Sequence, residues 1–111
     1  MVASLELKDP TLFREACYID GKWLAADSNQ TIDVTNPASG EVLGTIPKMG
    51  ADETRRAIDA ANAAYPAWRA KTAKERASIL RKWFDLMMEN QEDLARMMTA
   101  EQGKPFKESM G

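Results

Sequence analysis

Residues 31–47 read TIDVTNPASGEVLGTIP, and this stretch decides what the first half of the chain can be. Thr31 to Thr35 alternate and are rich in β-branched side chains, which suit a pleated, half-covered surface; they predict a strand. Asn36-Pro37-Ala38-Ser39-Gly40 then gathers the residues that close turns, through preset φ, side-chain-to-backbone bonds or tolerance of positive φ. Residues 42–46, VLGTI, form the returning strand, and Pro47 ends it because it has no N–H to donate to a ladder.

The reading extends outward in both directions. Residues 16–24, ACYIDGKWL, hold two apolar runs around Asp20-Gly21. Asp-Gly between strand-like runs predicts a two-residue type I′ turn, whose central residues both take positive φ. Pro10 and the Leu12-Phe13 pair suggest a short helical turn before this first hairpin. After Gly50 the composition becomes helical. Asp52 and Glu53 place negative charge at a helix start, and Ala57, Ile58, Ala61, Ala64 and Tyr65 follow at helical spacing. Pro66 is expected to end or kink this helix. Thr72-Ala-Lys-Glu75 is a capping box opening a second helix, with an apolar face of Ala77, Leu80, Trp83, Phe84, Met87 and Met88. Asn90 is expected to cap a third, with Glu92 and Asp93 in its first turn and Leu94, Met97 and Met98 as its buried stripe. Gly103 supplies a left-handed stop and Pro105 forbids simple continuation. Residues 106–111 read as the start of another helix. The fold class expected for the chain is therefore α+β: two N-terminal β-hairpins followed by three helices, with residues 1–50 carrying the hairpins and 51–111 the helices.

Composition narrows the chemistry. The chain has 111 residues, 44% hydrophobic and 29% charged, with a net charge of −2. That is an ordinary globular balance, and no basic stripe points to nucleic acid. No apolar run approaches the roughly 20 residues of a membrane span. The first residues, MVASLELKDPTLF, lack the ordered regions of a secretory signal. One cysteine and no disulfide fit a reducing cytoplasm. There is no histidine at all, which removes the commonest general base and metal ligand at neutral pH.

The remaining candidates for chemistry are few. Cys17 lies within a predicted strand with no histidine to activate it, and reads as a small, half-buried strand residue. Glu89, Glu92, Asp93 and Glu101 have the chemistry of an acid/base pair or a metal cluster, but their placement reads as solvated charge at helix ends. Lys104 follows Gly103 at a helix end and precedes Pro105, so it is not a phosphate-binding lysine. No G-x-G-x-x-G occurs. Trp23, Trp68 and Trp83 read as packing anchors. The run Met87, Met88, Met97 and Met98 reads as adaptable core, or as a surface that awaits a cover.

The order of these pieces resembles a known family. Ile19-Asp-Gly-Lys-Trp23, Val34-Thr-Asn-Pro-Ala-Ser-Gly-Glu-Val42 and Ile46-Pro47 look like the opening hairpins of the aldehyde dehydrogenase superfamily. The helix from Ala51 to Ala61, Trp68 after Pro66, Arg76 to Leu80, and Glu101-Gln-Gly-Lys-Pro105 resemble its first helices and its E-x-G-K-P element. The segment TAKERASILRKWFDLMMENQEDLARMMTAEQGKP is closest in style to bacterial succinate-semialdehyde dehydrogenases. The resemblance implies an α/β parent with a Rossmann-type cofactor domain, of which residues 1–111 would be the N-terminal part, and a catalytic domain lying outside this chain. It implies NAD or NADP as cofactor in the parent, and oxidation of an aldehyde to its acid through a cysteine nucleophile and a glutamate-activated water. The family's cysteine and glutamate contexts and its glycine-rich cofactor turn have no match here. No catalytic, cofactor-binding or metal residue is therefore carried over, and no bound cofactor is expected for the chain alone. Val34, Thr35 and Glu101 match positions near a monovalent cation in some members, but the family completes that site with residues further along.

Two readings follow. In one, the chain is the N-terminal piece of a succinate-semialdehyde dehydrogenase and is inactive by itself. In the other, it is a small interaction module that self-associates, or docks on dehydrogenase subunits, through its Met and Trp helical face.

Overall fold

A computed structural model describes residues 5–111. The first four residues of the stretch read for a secretory signal lie outside that range. Two antiparallel hairpins form separate two-stranded sheets, β1 (Cys17–Ile19) with β2 (Lys22–Leu24) and β3 (Thr31–Thr35) with β4 (Val42–Pro47). Four helices follow: α1 (Ala51–Ala70), α2 (Ala73–Glu89), α3 (Gln91–Gln102) and the short α4 (Phe106–Ser109). The chain is α+β as expected, with a 3-10 turn at Pro10–Leu12.

Local chemistry accounts for the hairpins. Asp20 and Gly21 take φ of 52° and 74°, the left-handed pair that a type I′ turn requires. Tyr18 faces Trp23 across the strands with ring centroids 5.1 Å apart, and the Arg14 guanidinium sits 4.8 Å from the Trp23 ring. In the second hairpin Asn36 Oδ1 accepts from the Ala38 amide at 2.9 Å, and the Asn36 amide bonds the Glu41 carbonyl at 2.8 Å. A bulge between Val34 and Thr35 absorbs the change of register before Thr35 meets Val42.

The helices differ from expectation at three points. Of the two outcomes expected for Pro66, an end or a kink, the first does not hold: α1 runs on to Ala70. It lies in the last turn and a half, so its missing N–H removes one bond near a frayed end rather than splitting a long helix. The Lys71 amide then closes the turn on the Trp68 carbonyl. The Asn90 side chain does not cap α3; its Nδ2 reaches back to the Leu86 carbonyl at 2.9 Å and finishes α2. The expected stripe of α3 is only partly covered. Leu94 and Met97 are half-buried, Met98 is exposed, and the buried positions are Asp93 and Ala95. The capping box of α2 forms as read, with the Glu75 amide on Thr72 Oγ1 at 3.2 Å and the Thr72 amide on Glu75 Oε2 at 2.7 Å. Residues 106–109 form α4, held to α3 by the Thr99–Ser109 hydroxyl pair at 2.8 Å.

The molecule is open. Its radius of gyration is 16.7 Å, against about 13 Å for a compact domain of this length. Its accessible surface is 8258 Å², where a compact monomer of this mass exposes about 6,100 Å². Fully buried apolar side chains among the described residues are small in number: Leu5, Ala26, Leu43 and Ala95. The whole of α2 lacks a buried residue.

Candidate functional site

The most constrained polar chemistry lies where the chain ends meet the helix starts. Asp93 stands in the first turn of α3, and it is 3% exposed. Its two carboxylate oxygens accept from the amides of Lys8 and Asp9, at 2.9 and 2.8 Å. Beside it Glu92 pairs with the Lys8 ammonium and with Arg96. The Lys8 contact, followed by that of Arg96, holds the Glu92 carboxyl below its ordinary range. The sequence reading had both acids as solvated helix-end charge. That is wrong for Asp93, which is a buried strap point for the N-terminal segment; the partners that bury it lie far away in sequence.

A second constellation borders a cleft of about 320 Å³ between the first hairpin and α1, lined by Ile19, Lys22, Asp27, Glu53 and Arg56 among others. Glu53 is buried and accepts from the amides of Gly50 and Asp27, each at 3.2 Å. Its own amide, then those of Gly50 and Asp27, keeps its carboxyl below the ordinary value. Arg56 Nη2 donates to both carboxylate oxygens of Asp27, at 2.7 and 2.8 Å. Negative charge in the first turn of α1 was legible; its use as a clamp on the 25–30 loop was not.

The other singled-out residues are dispersed. Cys17 is half-buried in β1 opposite Leu24. Glu89 and Glu101 are exposed, and the Lys104 amide bonds Gln102 Oε1 at 2.9 Å. Val34 is half-buried and Thr35 exposed. Among the described residues, no group of three or more His, Cys, Asp or Glu is placed to hold a metal ion. Trp23 lies tilted against Tyr18 within its hairpin, Trp68 is half-buried in the last turn of α1, and Trp83 is 63% exposed. The oxygens of Asp93 are taken up by the amides of Lys8 and Asp9, those of Glu92 by Lys8 and Arg96, and those of Glu53 by the amides of Gly50 and Asp27. These contacts fasten the N-terminal segment to α3 and the 25–30 loop to α1.

The element that ties the two halves together is EQGKP. Gly103 ends α3 with φ of 85°, and a Cβ on it would fall 2.8 Å from Pro37 Cγ in the β3–β4 turn. The two motifs that carried the family resemblance, Asn-Pro and Glu-x-Gly-Lys-Pro, therefore touch. Residues 23–111 match the sequence profile of the aldehyde dehydrogenase family. The chain belongs to the aldehyde dehydrogenase family. The chain is 66% identical to glutarate-semialdehyde dehydrogenase of Pseudomonas putida over 107 residues, which is 96% of the chain and 22% of that relative. It is 65% identical to the NADP⁺ succinate-semialdehyde dehydrogenase of Escherichia coli, with the same coverage. A crystal structure of an E. coli NADP-dependent enzyme superposes with a TM-score of 0.93 at 66% identity, covering 96% of the chain and 22% of the other. The chain thus spans about a fifth of the length of the dehydrogenases it matches. Subunits of this family contain a Rossmann-type cofactor domain. Among the described residues no helix is long and apolar enough to cross a membrane.

Proposed function

We propose that this chain is the N-terminal part of an NAD(P)-dependent semialdehyde dehydrogenase that oxidises succinate semialdehyde to succinate. In this reading residues 1–111 form the opening part of the cofactor-binding domain, and the nucleophilic cysteine, the general base and the cofactor-binding turn all lie beyond them. The chain alone is inactive, and the enzyme works in a reducing compartment, the cytoplasm. The observation that carries the reading is the identity of 65% across 96% of the chain to the E. coli succinate-semialdehyde enzyme. The open shape supports it as well, since the described residues leave the large apolar side chains of α2 from Ile79 to Met88 uncovered.

The test is a splice. The 111 residues replace the matching segment of the E. coli enzyme, and the chimera is assayed with succinate and glutarate semialdehydes and NADP⁺. The chimera is expected to turn over succinate semialdehyde at a rate near that of its parent, and the isolated chain to show none. A folded but inactive chimera, or turnover by the isolated chain, overturns the reading.

A further inference from the structure

The segment from Leu5 to Glu15 is fastened at both ends, to α3 at one and to β4 at the other. At the first, the amides of Lys8 and Asp9 donate to the buried Asp93 carboxylate, at 2.9 and 2.8 Å. At the second, the Phe13 ring lies over Gly44, where a Cβ would fall 2.7 Å from Cε1 and Cζ. Two residues on, Glu15 Oε2 accepts from the Thr45 amide at 2.9 Å and from the Thr45 hydroxyl at 3.2 Å. Thr45 stands opposite Asp33 of β3, so an amide that bonds Glu15 points to the outer edge of β4, where a strand otherwise leaves its N–H groups unpaired. Between the two anchors the chain is stiff. Pro10 fixes its own φ, the Asp9 carboxylate accepts from the Thr11 amide at 3.0 Å and hydroxyl at 2.6 Å, and the Phe13 amide closes the turn on the Pro10 carbonyl at 3.2 Å. Asp9 thus belongs both to the turn and to the Asp93 anchor. Among the described residues, no hydrogen bond or ion pair joins β3 or β4 directly to α3.

We propose that residues 5–15 are a latch that opens and closes as one unit and holds the β3–β4 hairpin to the start of α3. With the latch open, the Pro37–Gly103 contact at the other end of α3 is the pivot on which the hairpin turns. Leu5 is the one fully buried side chain of the segment, and the segment belongs to neither sheet. A piece with so little buried apolar surface and no strand ladder opens at less than the free energy of global unfolding. The backbone matches the corresponding part of a whole enzyme with a TM-score of 0.93, so the latch belongs to the complete subunit.

The test is hydrogen exchange in the spliced enzyme, read by mass spectrometry on peptides covering residues 5–16, 42–48 and 73–89. Asp93→Ala alters only the first anchor, yet the Thr45 amide is expected to exchange about tenfold faster, the scale of losing a buried acceptor. Gly44→Ala adds one methyl group against the Phe13 ring at the second anchor, and the Lys8 and Asp9 amides are expected to speed up by a similar factor. The α2 peptide is expected to stay unchanged in both variants. A response confined to the anchor that was altered overturns the latch, because the two ends then open separately. So does acceleration spread evenly over all three peptides, which is global unfolding. If the added methyl group prevents folding, Asp93→Ala decides alone. Exchange is read whether or not the spliced enzyme turns over succinate semialdehyde, so the latch and the functional reading fail separately.

Discussion

Gly103 and Pro37 are in contact across 66 positions of sequence, the glycine lying where any Cβ would come within 2.8 Å of the proline ring. Both motifs end or bend an element, and the contact fixes the end of α3 against the second hairpin. The φ of 85° at Gly103 adds a second demand for glycine. Gly103→Ala is expected to destabilise the chain by at least about 1–2 kcal/mol from the left-handed backbone alone, and more from the clash. Pro37→Ala in the same background is expected to recover the clash portion only. Urea unfolding of the two single variants and the double variant measures the coupling directly.

Asp93 is the sole carboxylate described here that accepts two backbone amides from one distant segment. Asp93→Ala leaves both donors without their acceptor in a covered site, at a cost of about 1–3 kcal/mol. Hydrogen exchange is the decisive readout: the amides of Lys8 and Asp9 are expected to lose protection while those of α2 do not change. Asp93→Asn is expected to release one of the two amides.

Acid sensitivity follows from the glutamates held below their ordinary value of 4.5, namely Glu53 and Glu92, with Glu15 held by the Thr45 amide and Glu75 by the Thr72 amide. A depressed folded pKa means that the unfolded chain binds more protons in this range. The stability these groups contribute is thus complete above pH 4.5 and is lost as pH falls through their folded values. Unfolding midpoints are expected to be flat from pH 6 to 8 and to fall below about pH 4.5. Glu53→Gln is expected to reduce that slope.

Exposure predicts an asymmetry for Trp83. In the isolated chain it is 63% exposed, so Trp83→Ala is expected to change stability by less than about 0.5 kcal/mol. In the spliced enzyme, where the apolar face of α2 is expected to be covered, the same change is expected to cost about 3–5 kcal/mol. Thermal melts of both backgrounds give the comparison, and equal effects would show that α2 is not covered.

The features legible in the sequence were those decided within a few residues. Asp20-Gly21 forces its turn, Thr72 and Glu75 bond each other's amides, and Gly103 stops its helix, all through short-range geometry. The misreadings concern what lies across the fold. Asn90 had two helix ends within reach and satisfied the earlier one. That Pro66 does not end α1 was decided by its distance from the helix end, which residue type alone does not carry. The stripe of Leu94, Met97 and Met98 shows which side of α3 favours burial, but periodicity carries no information on whether a neighbour is present to cover it. Asp93 was misassigned because its partners, Lys8 and Asp9, are remote and contribute only backbone.

That remoteness has a consequence for synthesis. Lys8 and Asp93 are 85 residues apart. At 5–20 residues per second, about 4–17 seconds pass between their emergence from the ribosome. Until then the leading segment has no acceptor for its amides and Leu5 has no covered place to go. Residues 5–9 are thus fastened late, and a nascent chain stalled before residue 93 exposes them to chaperones and proteases.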